Sequence, residues 1–185
     1  MAYYRGFKAE AERLALTMRK ELGLTAYPRL DPYRLAEHLS ISVRPLTSLQ
    51  NQGSEIVSAI RVLHGPEASS FSAVTVFRGT ERVVVHNEAH PPGRQASNIT
   101  HELSHGLLLH PAAPVLDGRG CRNWNPDAED EANFLAGALL VPSKAAWWIA
   151  KQGRPFEQAA EDYGCSVDMV RWRVNVTGAR RLLAG

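Results

Sequence analysis

Apolar residues recur at three- and four-residue steps through much of the chain, which is the spacing of one face of an α-helix. The first such segment runs over residues 6–22 and is followed by Gly23, a residue typical of helix ends. Asp31 followed by Pro32 is typical of a helix start, and it predicts a short second helix. The same reasoning predicts further helices over residues 94–109, 125–140, 156–163 and 167–176, and a short one that Ser143 caps.

Three segments alternate between apolar and other residues, which is typical of β-strands. They cover residues 41–44, 73–77 and 82–86, and the turn-like residues 78–81 predict that the last two form a hairpin. Residues 51–70 have a weak pattern that leaves room for one more strand over 56–62. The elements together predict an α+β fold with a small, mainly antiparallel sheet ahead of the middle of the chain.

Length and charge limit the classes of function. The chain has 185 residues, 44% of them hydrophobic, and its 21 Lys and Arg against 19 Asp and Glu leave a net charge of +2. This composition predicts one ordered globular unit with a packed core and argues against a dedicated nucleic-acid binder. Cys121 and Cys165 are too far apart for a zinc or redox pair. No signal-peptide core and no membrane span is recognisable, so a cytoplasmic location is expected.

Residues 101–105 read His-Glu-Leu-Ser-His, an HExxH motif within a predicted helix. Chance alone would produce this motif about 0.02 times in a chain of this composition. Histidines four positions apart lie within about 40° of each other on a helix, so His101 and His105 can each offer one nitrogen to a metal ion. Glu102 would stand beside the metal, where it can take a proton from water.

A catalytic zinc site needs a third protein ligand, and the sequence offers several. The metzincin pattern is absent, and His110 lies about 140° around the predicted helix from His105, which makes it a poor candidate. The helix that begins near Asn125 carries Glu129 and Glu131, which flank its apolar stripe almost symmetrically. Periodicity does not choose between these two carboxylates.

The HELSH motif, followed by a Glu-Asp-Glu-Ala-Asn segment at residues 129–133 and a run of apolar residues up to Pro142, resembles the ImmA/IrrE family of small bacterial metallopeptidases. The resemblance implies that Glu129 is the third zinc ligand. It also implies that Asn133, one turn further on, orients a ligand histidine. Outside the ligands, Ser104 stands where the family commonly has glycine, and Val141 where it commonly has methionine.

The resemblance also implies a fold and a function. The expected fold is a minimal gluzincin-like core over residues 1–152, in which the twisted sheet packs on the HExxH helix and on the Glu129 helix. A helix-turn-helix-like element over 153–185 is expected to pack on that core. The expected function is cleavage of a protein substrate, a helix-turn-helix (XRE-type) repressor of stress or mobile-element genes, with one Zn²⁺ per chain. Neither a membrane nor a specific nucleic acid is expected as a partner.

Two other classes of protein fit parts of the same sequence. One is a catalytically silent metal-binding partner of a repressor, which would have no need of Glu102. The other is a DNA-binding regulator that uses the C-terminal element, against which residues 151–185 carry only six cationic and four anionic side chains. His86 and His90 precede the metal helix and are weaker candidates for lining the cleft or stabilising an oxyanion.

Overall fold

The computed structural model describes residues 3–65, 67–79, 81–111 and 125–179. The helices in these ranges are α1 (Phe7–Glu21), α2 (Pro32–His38), α3 (Ser54–His64), α4 (Pro92–Leu107), α5 (Pro126–Leu140), α6 (Ser143–Lys151), α7 (Phe156–Tyr163) and α8 (Val167–Val176), and a 3-10 helix covers Leu46–Gln52. The strands are β1 (Ser42–Pro45), β2 (Ala73–Arg78) and β3 (Glu81–His86). None of these helices has both the length and the hydrophobicity needed to cross a bilayer.

The three strands form one sheet in the order β1-β3-β2, and the fold is mixed α/β as the sequence predicts. The expected hairpin is present, with Thr75 opposite Val84 in the antiparallel pair of β2 and β3. The prediction of a mainly antiparallel sheet is only half right, because β1 pairs in parallel with β3, Ser42 opposite Val83. The reason is the long connection through the 3-10 helix, α3 and β2, which brings the chain back beside β1 in the same direction.

Residues 56–62, whose weak pattern leaves room for a strand, lie within the helix α3. Its β-branched residues favour a strand by propensity, but only Ile60 is buried, at 8% exposure. Ile60 packs with Leu46 and Val85 in a small cluster. Leu63, one turn further on and partly buried, packs against the same cluster, so tertiary contact outweighs strand propensity here.

The main core lies on the other face of the sheet. Val84 of β3 points into it, next to Ile99 and Leu103 of α4, whereas its neighbour Val85 faces the small cluster. This is the alternation expected of a strand. Helix α5 is the centre of this core, because every residue from Phe134 to Leu140 is at most 3% exposed or is a glycine packed against α8. Helix α4 contacts α5, β2 and β3, so the sheet supports it from one side and α5 from another.

Two buried arginines join distant parts of the core. Arg19 of α1 is fully buried, and its guanidinium donates hydrogen bonds to the carbonyl oxygens of Leu139 (2.6 Å) and Thr25 (2.8 Å). Arg173 of α8 is equally buried and donates to the carbonyl of Val141 (2.9 Å) and to Glu12 of α1. Pairing of this kind is what makes a buried guanidinium tolerable. Helix α8 is therefore bonded to both α1 and the end of α5.

Candidate active site

Helix α4 carries the HExxH motif and begins at Pro92, a residue well suited to the first turn of a helix. Ile99 and Leu103 are fully buried, and these positions set the rotation of the helix about its axis. His101 and His105 consequently face the edge of the core, with about a fifth of each side chain exposed. Their Nε2 atoms lie 3.1 Å apart.

Helix α5 supplies the third side chain. Its first turn is capped by the side chain of Asn125, which accepts hydrogen bonds from the backbone amides of Asp127 and Ala128. The carboxylate of Glu129 then lies 3.2 Å from Nε2 of His101 and 3.7 Å from Nε2 of His105. The structure thus brings Glu129, and not Glu131, to the two histidines, as a small group of atoms that can hold a metal ion.

Asn133, one turn beyond Glu129, reaches the far side of His101. Its Oδ1 lies 3.0 Å from Nδ1 of His101. Because an amide oxygen only accepts, Nδ1 of His101 carries a hydrogen, and Nε2 is the nitrogen that faces Glu129. This hydrogen bond leaves Nε2 of His101 facing Glu129.

Glu102, which follows His101 on α4, lines a cleft of about 330 Å³. The hydroxyl of Thr75 in β2 donates to Oε2 of Glu102 at 2.7 Å, and the glutamate is 8% exposed. His101 and Glu129 line the same cleft, as does Met169 of α8. The carboxylate therefore shares one cavity with His101 and Glu129, two members of the three-residue group. Thr75 was not singled out in the sequence, because a threonine within an alternating strand is ordinary.

The charge of Glu129 follows from its neighbours. Burial alone would raise the pKa of Glu129, but hydrogen bonds and charge interactions with His101 and His105 outweigh it and hold the pKa well below its usual range. Glu129 is therefore ionised at neutral pH, which is the form in which a carboxylate binds a cation.

Glu131 and His110 have a different place from the one the sequence suggested. Glu131 lies 3.1 Å from Nε2 of His110, and Nδ1 of His110 lies 2.9 Å from Nδ1 of His105. Burial, and to a lesser degree the nearby His105, lowers the pKa of His110, while Glu131 acts in the opposite direction. A continuing helix would carry His110 about 140° around the axis from His105. Helix α4 instead ends at Leu107, and the chain turns back.

His86 and His90 do not line the cleft. His86 is 3% exposed and contacts the hydroxyl of Tyr33 at 3.3 Å. His90 is 5% exposed, and its Nε2 bonds to the carbonyl oxygen of Ala68 at 2.7 Å. Both histidines are packed into the structure beside the site, and the suggestion that they line the cleft is wrong.

The sequence matches the family model described as the IrrE N-terminal-like domain, Peptidase_M78, over residues 59–175. The chain belongs to the Peptidase_M78 family. This match runs from α3 into α8 and includes all the residues of the site described above. A comparison with curated proteins found no match. Membership in Peptidase_M78 makes the chain a peptidase of a metal-dependent kind, and the group formed by His101, His105 and Glu129 is where the metal fits.

Proposed function

We propose that this Peptidase_M78 protein is a zinc-dependent endopeptidase that holds one Zn²⁺ through His101, His105 and Glu129. The observation that carries the proposal is the spacing of the three ligand atoms. Tetrahedral zinc with bonds of about 2.0–2.1 Å to nitrogen and oxygen sets its ligands about 3.3 Å apart. Nε2 of His101 lies 3.1 Å from Nε2 of His105 and 3.2 Å from Oε2 of Glu129, and one ligand atom from each of the three residues lies within 4.8 Å of the other two. Three protein ligands also leave the fourth position for water or substrate.

Glu102 is the residue that moves the proton. A bound zinc supplies a Lewis acid that polarises the scissile carbonyl and acidifies water. The hydroxyl of Thr75 bonds to Oε2 of Glu102, which leaves Oε1 to accept the proton of the attacking water. The same atom then passes the proton to the leaving amine. A carboxylate used only to hold metal would not need this separate position in the cleft.

The substrate chain is proposed to lie extended beside β2. This strand is at the edge of the sheet, and its first residue, Ala73, lines the cleft with Glu102. An edge strand offers unpaired backbone groups to an added peptide strand. A peptide bound this way would lie along the cleft that Ala73, Glu102 and Glu129 line.

The identity of the substrate is a further step. We propose a repressor with a helix-turn-helix domain, cleaved to release stress or mobile-element genes, and this rests on the resemblance of the HELSH and residue 129–133 motifs to the ImmA/IrrE family. We also predict that α7 and α8 assist in holding a protein substrate and have no specific affinity for DNA.

The test separates metal binding from chemistry. Glu102→Gln should keep one zinc per chain and lower hydrolysis by orders of magnitude, because it removes proton transfer and no ligand. Glu129→Ala should lose both zinc and activity. Asp127→Ala is the matched control, since this carboxylate is exposed on the same helix two positions earlier and should change neither. Zinc content is measured by elemental analysis, and cleavage by mass spectrometry of a digested peptide library.

Each alternative function gives a different result. If parent and Glu102→Gln hold zinc equally and neither cleaves any peptide or repressor, the silent metal-binding partner becomes the better reading. Salt-dependent and sequence-selective binding of a DNA duplex in a fluorescence anisotropy titration would favour the regulator. Loss of zinc from Asp127→Ala with retention in Glu129→Ala would contradict the assigned ligand set.

A further inference from the structure

The end of α4 has an unusual conformation that brings a third histidine onto the site. Leu109 has a φ of +54°, a left-handed conformation that is uncommon for a residue other than glycine, and its side chain is 82% exposed. The backbone amide of His110 bonds to the carbonyl of His105 at 3.0 Å, and the amide of Leu109 to the carbonyl of Gly106 at 3.1 Å. This pair of bonds is a Schellman motif.

A Schellman motif reverses the chain and sets its last residue against the residue five positions earlier. Here these two residues are His110 and His105. Their rings meet edge to face with centroids 5.0 Å apart, and their Nδ1 atoms are 2.9 Å apart. The Leu109 side chain is mostly exposed, so its contacts with the described residues do not account for the left-handed conformation. What the strained turn secures is the contact between the two imidazoles.

The Glu131 carboxylate fixes one end of the hydrogen-bond chain. The Glu131 carboxylate only accepts, so Nε2 of His110, 3.1 Å away, carries a hydrogen. Of the two facing Nδ1 atoms, one donates and the other accepts. If His105 donates, His110 is neutral and Nε2 of His105 keeps the lone pair that faces His101 and Glu129. If His110 donates, Nδ1 of His105 accepts with its lone pair. Nε2 of neutral His105 then carries the hydrogen and cannot bind a metal ion.

We propose that Glu131 and His110 are positioning residues that hold the hydrogen of His105 on Nδ1 and so reserve its Nε2 for the metal. Glu131 acts only through His110, which is itself 12% exposed at the side chain. The chain Glu131–His110–His105 thereby does for the second histidine what Asn133 does for His101. The inference rests on the proposed metal site but not on peptide hydrolysis.

Zinc affinity tests the chain without any substrate. Outer partners of ligand histidines typically contribute tenfold to a hundredfold to metal affinity. We expect His110→Ala and Glu131→Ala each to raise the zinc dissociation constant by that factor in a competition titration with a chromogenic chelator. The double variant should bind no more weakly than His110→Ala alone. His38→Ala is the matched control, because it breaks an exposed pair in which His38 lies 2.8 Å from Glu21, and it should leave the constant within twofold.

The position of the hydrogen is read directly by NMR of the zinc-loaded parent with ¹⁵N-labelled histidine. We expect His105 to show a protected Nδ1–H, which exchanges rapidly with water in Glu131→Ala and persists in Glu131→Gln, whose amide oxygen still accepts from His110. A hydrogen found on Nε2 of His105, or an unchanged zinc constant in both alanine variants, would overturn the inference. The parent spectrum and the Glu131 variants decide it even if His110→Ala does not fold. A parent that binds no zinc would instead overturn the proposed metal site together with it.

Discussion

Replacing Gly137 by alanine should destabilise the protein, because α5 and α8 touch at this glycine. A Cβ built on Gly137 lies 2.5 Å from Cδ of Arg173 and 2.5 Å from Cζ3 of Trp172. Carbon atoms pack at about 3.5–4.0 Å, so something must move by about 1 Å. Arg173 has no room to do so freely, since it is fully buried and bonded to Val141 and Glu12.

The size of the effect follows from two opposing terms. Overpacking a core costs about 1–3 kcal/mol. Replacing glycine by alanine in a helix interior stabilises the helix by up to about 1 kcal/mol. The hydrogen bonds of Arg173 are at risk when its stem moves, which shifts the overpacking cost toward the upper end of that range. We therefore expect the free energy of unfolding of Gly137→Ala to fall by about 1–2 kcal/mol.

Gly106→Ala is the matched control, because it offers a similar gain in helix propensity in α4. Its Cβ would meet Nη1 of Arg82 at 2.7 Å, which is the end of a flexible side chain. The Arg82 guanidinium can turn away and gives up only its position over the ring of Phe77, at 5.3 Å. The stability of Gly106→Ala should therefore stay within about 1 kcal/mol of the parent.

The assay is urea unfolding of the metal-free protein, followed by tryptophan fluorescence. A lower midpoint with an unchanged slope for Gly137→Ala, and no such drop for Gly106→Ala, is the expected pattern. The reasoning is refuted if Gly137→Ala is as stable as the parent, or if both variants lose the same amount, because the difference between the two glycines is then not steric.

Three further predictions concern single side chains. Burial raises the pKa of the Cys165 thiol to about 12. In a Cys121→Ser variant at pH 8, a thiol reagent should therefore label Cys165 rapidly only after denaturant is added. Rapid labelling of Cys165 in the native protein would contradict its burial. Burial also lowers the pKa of His86, although Glu88 opposes it. The unfolded chain therefore takes up a proton near pH 6.5 that the folded chain does not, and as the pH drops below that value the free energy of unfolding should fall by up to about 1.4 kcal/mol per pH unit. This slope, measured by unfolding at several pH values, should flatten in His86→Gln. Thr75→Val removes the hydrogen bond to Glu102, the proposed general base, and should lower kcat about tenfold at unchanged zinc content. An unchanged kcat would mean that Thr75 does not position Glu102.

Local pattern was enough to predict α4 and α5. Buried positions at helical spacing set the faces of these helices, so the direction in which His101 and His105 point was contained in the sequence around them. The sequence did not contain the choice between Glu129 and Glu131, because both residues flank the buried stripe of α5. Each carboxylate has a histidine partner, and only the packing of α5 on α4 determines which one meets the ligand pair.

The features that the sequence did not predict depend on distant contacts or on one unusual turn. The parallel pairing of β1 with β3 follows from the order of strands, about which alternation says nothing. Helix α3 is held by Ile60, whose partners are remote in sequence. The position of His110 depends on the left-handed Leu109, and leucine gives no indication of such a turn.

The central claim is tested most directly by digesting a proteome-derived peptide library with zinc-loaded protein and identifying the new amino termini by mass spectrometry. Parent and Glu102→Gln are compared at equal, measured zinc content. The account predicts one zinc per chain in both, new termini with the parent, and a loss of orders of magnitude with the variant. Equal cleavage by both proteins, or no cleavage by a fully zinc-loaded parent, would contradict it.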